Sequence, residues 1–595
     1  MTLFIDYEGT LFQNVSAGEK PGQIHNFAMH AHIGEEGIYL ADGYWYPQPA
    51  RDRGATPSLA YFTLQADRIP GMELVASGET DRELCSAADR HAWRSPYPLK
   101  EMVLVGGPHE VHRANHRGIE IAVHLKPNQA NQAPGLIESV KRNLDRYEPL
   151  IGPYPAKQYR IVDNFFSSGF AFPCFTLLSS AVIDMGSRSQ TTHGYLDHEF
   201  LHSWWGNGVH VDPRDGNWCE ALASYGANYY GYILDGNEIE ARRKRRNYTQ
   251  FLSRLKPEDD NALGSFGQEN GCNRQIAYDK GAMVFHMLAR KIGPDNFWAA
   301  MREFNSELTG RHASWDDIRR ACEKQSGLDL THFFDQWVRR SGAPRLTIDH
   351  PVYRSSERTL SFTLSQGDAP FALDVPLRLN GAEGVQELTV AMDQPTFDYA
   401  IPLDSPPHTI ELDPDYHVFR RVDPADINPT TASTRSGSSL TCVFPSGDPG
   451  DAYRAIADRF ESSVAPADRI ERSPRDLRVD ADLAERCGLI LGDAVRDPAV
   501  EGFLAAIEFP IRWTDDGFEF DEVEYNNPGD AVLCTVRHPG VAGGGVTVVF
   551  ANSESAIPRA GLISFYEHSL VIFRDGMPAV RRDFEPSAAV RVERY

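Results

Sequence analysis

Short runs in which hydrophobic and polar residues alternate dominate the first part of the chain. Runs such as MVLVGG and IEIAVHL stand between clusters of Gly, Pro and Asp. Such alternation is typical of half-buried β-strands, and Gly and Pro mark the turns between them. The pattern predicts a β-rich N-terminal domain over residues 1–133.

The spacing of hydrophobic positions changes after this region. The segment GLIESVKRNLDRYEPLIG carries apolar residues at helical intervals, namely Leu136, Val140, Leu144 and Leu150. The strand-like runs YRIVDNFF and TLLSSAVIDM follow, and then a long helical region. Its segments GAMVFHMLARKIG and WDDIRRACEKQSG each end in glycine, which is common just after a helix. Residues 134–342 are therefore predicted to form an α/β domain with a helical half.

Strand-like runs return in the next part, with RLTIDH, TLSFTLSQ, ALDVPLRL, QELTVAM and HTIELD. Their spacing predicts a small β-sandwich over residues 343–427. The segment NPTTASTRSGSS has the composition of a linker, placed at 428–440. Helical and strand patterns mix in residues 441–595, which predicts a C-terminal α/β domain of unknown role. The predicted fold class is thus multidomain α+β.

Composition narrows the classes of function. The 595 residues carry a net charge of −24, which argues against nucleic acid or an anionic membrane as the main partner. The eight cysteines are scattered singly, as expected of core thiols rather than disulfides or a zinc finger. No apolar run is long enough for a transmembrane helix. The oligomeric state leaves no signal in the sequence.

The first residues, MTLFIDYEG, lack the basic flank and apolar stretch of a signal peptide. This favours a cytoplasmic location. If the segment instead begins inside a longer protein, a periplasmic or secreted location stays open.

Candidate chemistry is concentrated in DHEFLHSWWGN, residues 197–207. His198 and His202 lie four residues apart, so a helix would present both imidazoles on one face. Glu199 follows the first histidine, as in metallopeptidases whose glutamate acts on a metal-activated water. A catalytic zinc takes three protein ligands and leaves one position open. Glu220, in NWCEALASYGANYY, is a candidate third ligand, although a glutamate at a helix start is also favoured by the helix dipole.

Together, HEFLHSWWGN and NWCEALASY resemble the membrane alanyl aminopeptidase family of zinc metallopeptidases, the gluzincins that also include leukotriene hydrolase. The spacer between the two motifs is one residue shorter than in the family. QIAYDKGAMVFHML is similar to the family's SYEKGA segment, in which the tyrosine donates a hydrogen bond to the oxyanion; that position is Tyr278 here. The resemblance covers roughly residues 1–425, is strongest over 195–290, and implies a thermolysin-like catalytic domain.

The resemblance implies one Zn²⁺ held by His198, His202 and Glu220, with Glu199 as general base and Tyr278 as oxyanion stabiliser. Peptides are the implied substrates. Around this core, Asp197 is either a partner of a ligand histidine or a residue at the surface or at the start of the helix. The following residues are expected to pack and turn the end of the helix without a chemical role: Trp204, Trp205, Gly206 and Asn207.

One departure from the family concerns substrate recognition. The family's GxMEN strand carries a glutamate that binds the free α-amine of the substrate. The matching stretch here is SSGFAFPCF, in which Gly169 is kept, Phe172 replaces the glutamate and Pro173 replaces the asparagine. The predicted substrate-binding residues are therefore Gly169, Phe170, Ala171 and Phe172.

Three interpretations of this departure stay open. Another carboxylate, such as Glu35 or Glu36, binds the amine; or the enzyme cuts internally or acts on blocked peptides; or the substrate is not a peptide. A non-catalytic, zinc-stabilised scaffold is the alternative from another class. The side-chain preference of the enzyme is not readable from the sequence.

Overall fold

The computed structural model describes residues 4–14, 29–41, 45–48, 56–88, 90–180, 182–184, 195–252, 255, 259–268, 273–446, 450–463, 468–557, 567–586 and 589–595. Within them, eight sheets and a set of mostly short helices form a multidomain α+β fold. No helix in these segments is long and apolar enough to cross a membrane.

Two antiparallel sheets form the N-terminal part. The first has four strands, in spatial order Ala31–Ile33, Ile38–Leu40, Leu104–Gly107 and Glu73–Ala76. The second has three, Thr63–Ala66, His91–Arg94 and Glu79–Thr80, and helix Arg82–Ala88 precedes its central strand. Trp93, Leu99 and Met102 belong to the apolar core between them.

A five-stranded mixed sheet supports the functional site. Its strands are, in spatial order, Gly169–Phe172, Phe175–Ser179, Gln158–Asn164, Ile119–Leu125 and Glu110–His116. The run IEIAVHL, expected in the N-terminal domain, thus pairs in parallel with Gln158–Asn164 instead. The strand is buried on both faces, and its apolar pattern therefore does not reveal which sheet it joins. Helix Ala133–Ile151 contacts this sheet and buries Leu136, Val140 and Leu144.

The helical half follows this sheet. Its α-helices are Leu196–Leu201, Cys219–Ala223, Gly231–Leu234, Glu238–Leu252, Gly281–Ile292, Pro294–Leu308, Trp315–Ser326 and Thr331–Phe334. Three π-helical turns extend them, Ser224–Tyr230, Ile276–Lys280 and Asp335–Arg339. Ser314 and Asp317 form a capping box at the start of Trp315–Ser326, and Gly327 ends it at φ 71°. Strands His210–Val211 and His312–Ala313 form a short parallel pair. The pair connects the segment after helix Leu196–Leu201 to the segment before helix Trp315–Ser326.

The β-sandwich consists of two sheets, and the end of the chain contributes to both. One sheet contains Thr396–Pro402, Thr359–Ser365, Thr347–Arg354 and Glu593–Arg594. The other contains Gly384–Met392, Leu373–Gly381, Pro407–Leu412 and Ala589–Arg591. The last residues were expected in the C-terminal domain, but their pairing partners lie more than 170 positions earlier, beyond what local pattern can reveal.

The C-terminal α/β domain is built on a seven-stranded sheet in the order Asp468–Arg472, Ser439–Val443, Cys487–Leu491, Gly545–Ala551, Ala531–Arg537, Leu570–Arg574 and Met577–Arg582. The first four strands are parallel and the others antiparallel. A three-stranded sheet joins it, formed by Arg512–Thr514, Gly517–Phe520 and Val523–Tyr525. Its helices are Gly450–Ser463, Val479–Asp482 and Pro498–Ala506.

Residues 428–440, expected to be a linker, are folded. They contain helix Thr431–Arg435 and enter strand Ser439–Val443. Thr434 is buried and its hydroxyl lies 2.7 Å from that of Thr547 in the seven-stranded sheet. Small polar residues of this kind are common in linkers, but they also satisfy each other's hydrogen bonds when packed.

The cysteines agree with the expectation of core thiols where they are described. The buried ones are Cys174, Cys219, Cys322, Cys442, Cys487 and Cys534, whereas Cys85 is partly exposed; none of these seven described cysteines forms a disulfide. Cys272 lies outside the described residues.

Candidate metal centre

The two histidines of the motif converge as their spacing predicts. Helix Leu196–Leu201 carries His198, and His202 is the residue that ends it. Their Nε2 atoms lie 3.2 Å apart, and the ring planes are nearly perpendicular. Both rings therefore present the same nitrogen to one point in space, as a shared metal ion requires.

Glu220 supplies the third donor from helix Cys219–Ala223. Its Oε2 lies 3.2 Å from Nε2 of His198 and 3.5 Å from Nε2 of His202. Ligands at zinc distances in a tetrahedral arrangement lie about 3.3–3.5 Å from one another. The donor set fits a zinc ion by spacing and by chemistry, and it is the metal-ligand cluster found among the described residues.

The electrostatics of the cluster agree with an anionic third ligand. Burial raises the pKa of Glu220, but His202 and His198 outweigh it and hold that pKa well below its usual range. Nδ1 of His202 lies 2.9 Å from the carbonyl oxygen of Trp205, a contact that holds the imidazole with Nε2 towards the cluster. The turn after the helix thus orients the imidazole of His202 as well as ending the helix.

Asp197 lies at the start of the helix, as one of the expectations had it, but not at the surface. It lies in the first turn of the helix, but its side chain is fully buried rather than at the surface. It accepts a hydrogen bond from Nδ2 of Asn143 at 3.1 Å, and Arg146 lies 3.8 Å away. Asp197 therefore connects helix Leu196–Leu201 to helix Ala133–Ile151.

Glu199 and Tyr278 lie beside the metal ligands. Burial raises the pKa of Glu199, which increases the affinity of this carboxylate for a proton. Tyr278 lies in the π-helical turn Ile276–Lys280, and its ring stacks on that of His198 at 5.6 Å. Burial raises the pKa of Tyr278, so its hydroxyl stays protonated and is able to donate a hydrogen bond.

A close contact between two helices fixes the position of Tyr278. Gly281 begins the helix that follows the tyrosine, and a Cβ built there would lie 2.4 Å from Cβ of Ala221. Ala221 is the neighbour of Glu220, the third donor of the cluster. Glycine at this contact lets the two backbones approach, and the approach brings Tyr278 to the metal ligands.

We expect Gly281→Ala to lower stability by about 1–3 kcal/mol and to reduce activity, because the added methyl group must move one helix away from the other. Urea unfolding and kcat measure the two effects. Gly135→Ala is the matched control, since a Cβ at this helical glycine meets nothing within 4 Å. Equal stability of the two variants would contradict the role given to the contact.

A cavity of about 740 Å³ opens over the metal ligands. The edge strand Gly169–Phe172 forms one wall, and all four of its residues line the cavity. Pro173 and Cys174 turn this strand into its partner, with Cys174 at φ 70°. Proline at the first and positive φ at the second central position are typical of a type II turn, which explains why proline is tolerated here.

The side chain of Phe172 carries no charged group that could bind an ammonium. Its ring packs 5.0 Å from that of Phe175. Glu35 and Glu36, considered as substitutes for the missing glutamate, are not among the residues that line the cavity. Glu36 pairs with His32 at 3.3 Å, and its side chain is 56% exposed.

Several cavity residues were missed from the sequence, among them Lys100, Asn207, His210 and Arg274. Asn207 was expected only to turn the helix end. Arg274 stands four residues before Tyr278, and its guanidinium carbon lies 4.7 Å from the centre of the tyrosine ring. The spacing of four residues from Tyr278 could have indicated that Arg274 lies on the same helical face. Lys100 lies in a segment far away in the sequence, and no local pattern connects it to the site.

Comparison with known proteins agrees with this geometry. Residues 138–337 match the family described as the Peptidase family M1 domain. Aminopeptidase N of Escherichia coli is 26% identical over 336 residues, which are 52% of this chain and 38% of that protein. Aminopeptidase N of Haemophilus influenzae is 26% identical over 53% of this chain and 39% of its own length. Aminopeptidase A of Gloydius brevicauda is 25% identical over 40% and 26%, respectively.

The chain thus spans less than two fifths of the length of these relatives. Among solved structures, aminopeptidase A of Legionella pneumophila in complex with aspartic acid superposes with a TM-score of 0.49 and 16% identity, covering 66% of this chain and 48% of the other.

Proposed function

Because residues 138–337 belong to the M1 family of aminopeptidase-like metallopeptidases, we propose that this chain is a zinc-dependent peptidase acting on short peptides. One observation carries the proposal. The three donors His198, His202 and Glu220 converge in the same cavity that Glu199 and Tyr278 line. A metal site needs only the three donors, so the two added groups point to chemistry.

The proposed mechanism assigns one role to each group. His198, His202 and Glu220 would hold one Zn²⁺, which lowers the pKa of a water and polarises the scissile carbonyl when bound. Glu199 takes the proton from the attacking water and passes it to the leaving amine. Tyr278 donates a hydrogen bond to the oxygen on which negative charge develops.

The edge strand Gly169–Phe172 is proposed to bind the substrate. It pairs with the sheet on one side only, and its residues face the cavity. An extended peptide is able to add to such an edge through main-chain hydrogen bonds. Phe170 and Phe172 would then contact apolar groups of the substrate.

Two alternatives compete with this proposal. A hydrolase of a non-peptide substrate is favoured by Phe172, which removes the amine ligand that a strict aminopeptidase needs. A zinc-stabilised scaffold without activity is the other. It requires neither Glu199 nor Tyr278, so the presence of both beside the ligands argues against it.

The function is tested with zinc-loaded protein and a peptide library of which one half has free N-termini and the other half is N-acetylated, with products read by mass spectrometry. We expect cleavage of peptides in at least one half. Loss of residues only from the front of free peptides indicates an aminopeptidase with another amine ligand. Cleavage of acetylated peptides indicates that the enzyme with Phe172 at this position does not require a free α-amine on its substrate. Intact peptides in both halves contradict the proposal.

A further inference from the structure

A run of basic residues, RRKRR at 242–246, lies on helix Glu238–Leu252, although the whole chain carries a net charge of −24. Runs of this kind often form exposed patches that bind nucleic acid or other polyanions. Here the side chains of Arg245 and Arg246 are only 1% and 0% exposed. The run is therefore packed inside the molecule, where other parts of the chain must balance its charge.

Much of this balance comes from the C-terminal α/β domain. Three pairs join the helix to that domain: Arg242 with Glu585 at 2.9 Å, Lys244 with Glu567 at 2.8 Å and Arg246 with Asp583 at 3.1 Å. The acidic partners all follow or precede strands of the seven-stranded sheet. The C-terminal domain is thus held against the helical half of the catalytic domain by charged contacts.

One of these contacts reaches the turn that carries Tyr278. Helix Glu238–Leu252 packs against the π-helical turn Ile276–Lys280. In that turn Asp279 directly follows Tyr278. Burial and, after it, the charge of Glu567 raise the pKa of Asp279 to about 8, whereas the charge of Lys244 opposes them. A residue of the C-terminal domain therefore acts on the neighbour of Tyr278.

Tyr248 supports the same grouping. It lies one helical turn after Lys244 and is buried. Burial raises its pKa, and the carboxyl groups of Asp279 and Glu567 add to this effect. Side chains from three separate segments thus share one small region behind Tyr278.

Glu567 has the central place in this group. Its Oε2 accepts a hydrogen bond from Lys244 at 2.8 Å and another from Nδ2 of Asn247 at 3.0 Å. Burial raises the pKa of Glu567, but Lys244 outweighs burial and holds that pKa well below its usual range. Glu567 is therefore the anionic partner of Lys244 at neutral pH, and Asp279 is mostly protonated.

The position of the turn depends on this division of charge. Without the charge of Glu567, the ammonium of Lys244 attracts the carboxyl of Asp279 instead, and opposite charges away from bulk water attract strongly. Formation of that pair would displace Asp279 and, with it, the adjacent Tyr278. A hydroxyl that donates to a developing oxyanion depends on its exact position, because a misplacement of about 1 Å can cost about 10² in rate.

We propose that Glu567 of the C-terminal α/β domain is a positioning residue for the hydrolytic reaction, acting through Lys244 and Asp279 on the hydroxyl of Tyr278. The domain then takes part in the chemistry from a distance, since none of its described residues lines the cavity. This inference rests on the proposed function, because it concerns the group that stabilises the oxyanion.

Glu567→Gln in the full-length, zinc-loaded chain is expected to lower kcat about tenfold, less than the roughly 10² of a 1 Å misplacement. KM and zinc content are expected to stay unchanged, since Glu567 neither lines the cavity nor belongs to the donor cluster. Glu567→Asp, which keeps the charge, is expected to recover part of the loss. Steady-state kinetics and metal analysis of the same preparations measure these quantities.

A double-mutant cycle with Tyr278→Phe tests the route of the effect. If Glu567 acts through the hydroxyl of Tyr278, Glu567→Gln costs little further kcat once that hydroxyl is absent, because the two effects are not additive. A purely structural role of Glu567 would lower kcat by the same factor in both backgrounds.

Two variants serve as controls. Glu471→Gln removes an acid of the same domain that pairs with Arg469 inside that domain and is 50% exposed, so kcat is expected to match the wild type. Glu585→Gln weakens the same interface at its contact with Arg242. It is expected to lower Tm without the loss of kcat seen for Glu567→Gln.

Hydrogen exchange followed by mass spectrometry reads the positioning without any substrate. In zinc-loaded Glu567→Gln protein, we expect faster amide exchange in the turn Ile276–Lys280 and unchanged exchange in helix Leu196–Leu201. Faster exchange in the turn, combined with no hydrolysis by the wild type, supports the role of Glu567 and rejects the peptidase. Hydrolysis by the wild type, with neither exchange nor kcat altered in the variant, does the opposite.

Three kinetic results would overturn the inference: a wild-type kcat in Glu567→Gln, a loss of kcat that is the same with and without the hydroxyl of Tyr278, or an equal loss in Glu585→Gln. The last result would show that any loosening of the domain interface lowers kcat, and that Glu567 has no particular part in positioning Tyr278.

Discussion

Glu199→Gln is expected to lower kcat by about 10²–10⁴, the usual contribution of a general base, while the protein keeps one zinc ion per chain. Glutamine has the shape of glutamate but does not accept a proton from water. Glu199 contributes no donor to the cluster of His198, His202 and Glu220, so metal content is expected to stay unchanged. Steady-state kinetics and metal analysis by mass spectrometry of the same preparation measure the two quantities.

Glu138→Gln is the matched control for this prediction. Glu138 lies on helix Ala133–Ile151, pairs with Lys141 and is 65% exposed on its side chain. Exposed pairs of this kind contribute little to stability, so both kcat and zinc content are expected to match the wild type. Full hydrolysis by the Glu199 variant would show that the base is a different group.

Glu220→Gln is expected to remove activity by a different route, through loss of the metal. Losing even a hydrogen-bonding partner of a ligand typically costs about 10- to 100-fold in metal affinity, and losing the anionic ligand itself costs more. The variant leaves two neutral imidazoles as donors. We expect zinc affinity to fall by more than that range, and activity to fall in proportion to the occupied fraction.

Thermal unfolding provides a second readout for this variant. A ligand that binds only the folded state raises the stability of the protein. The increase grows with the logarithm of the ratio of ligand concentration to Kd. Adding zinc is therefore expected to raise the Tm of the chelator-treated wild type and of Glu138→Gln, but not that of Glu220→Gln. Wild-type zinc affinity in the variant would contradict the ligand set and direct attention to Cys219, which lines the cavity beside His202.

The convergence of His198, His202 and Glu220 was largely predictable because the two histidines obey a short-range rule. His198 and His202 are one helical turn apart, and that spacing alone places two imidazoles on one face. Glu220 and Tyr278 were reached through motifs that resemble a family. Their convergence depends on a contact that the motifs do not describe, the close approach of Gly281 to Ala221.

The burial of Asp197 was not predictable. An aspartate at the start of a helix can lie at the surface or form a buried hydrogen bond. Which of the two occurs depends on Asn143, fifty-four positions earlier in the chain. The same reasoning applies to Glu35 and Glu36. Their charge made them candidates for the amine ligand, and only the folded chain shows that they are not among the residues lining the cavity.

The sequence by itself determined the secondary structure of strongly periodic segments, the two histidines with their glutamate, and the presence of Phe172 where the family that the chain resembles has a glutamate. These features depend on residues within a few positions of one another. Only the tertiary structure decided that strand Ile119–Leu125 belongs to the sheet that forms a wall of the cavity, that the last strands complete the β-sandwich, and that Arg274 and Lys100 share this cavity with the candidate metal ligands. Those features depend on contacts between segments that are distant in the sequence. The local sequence of a strand or of a charged residue does not specify its partner, so these contacts are seen only in the folded chain.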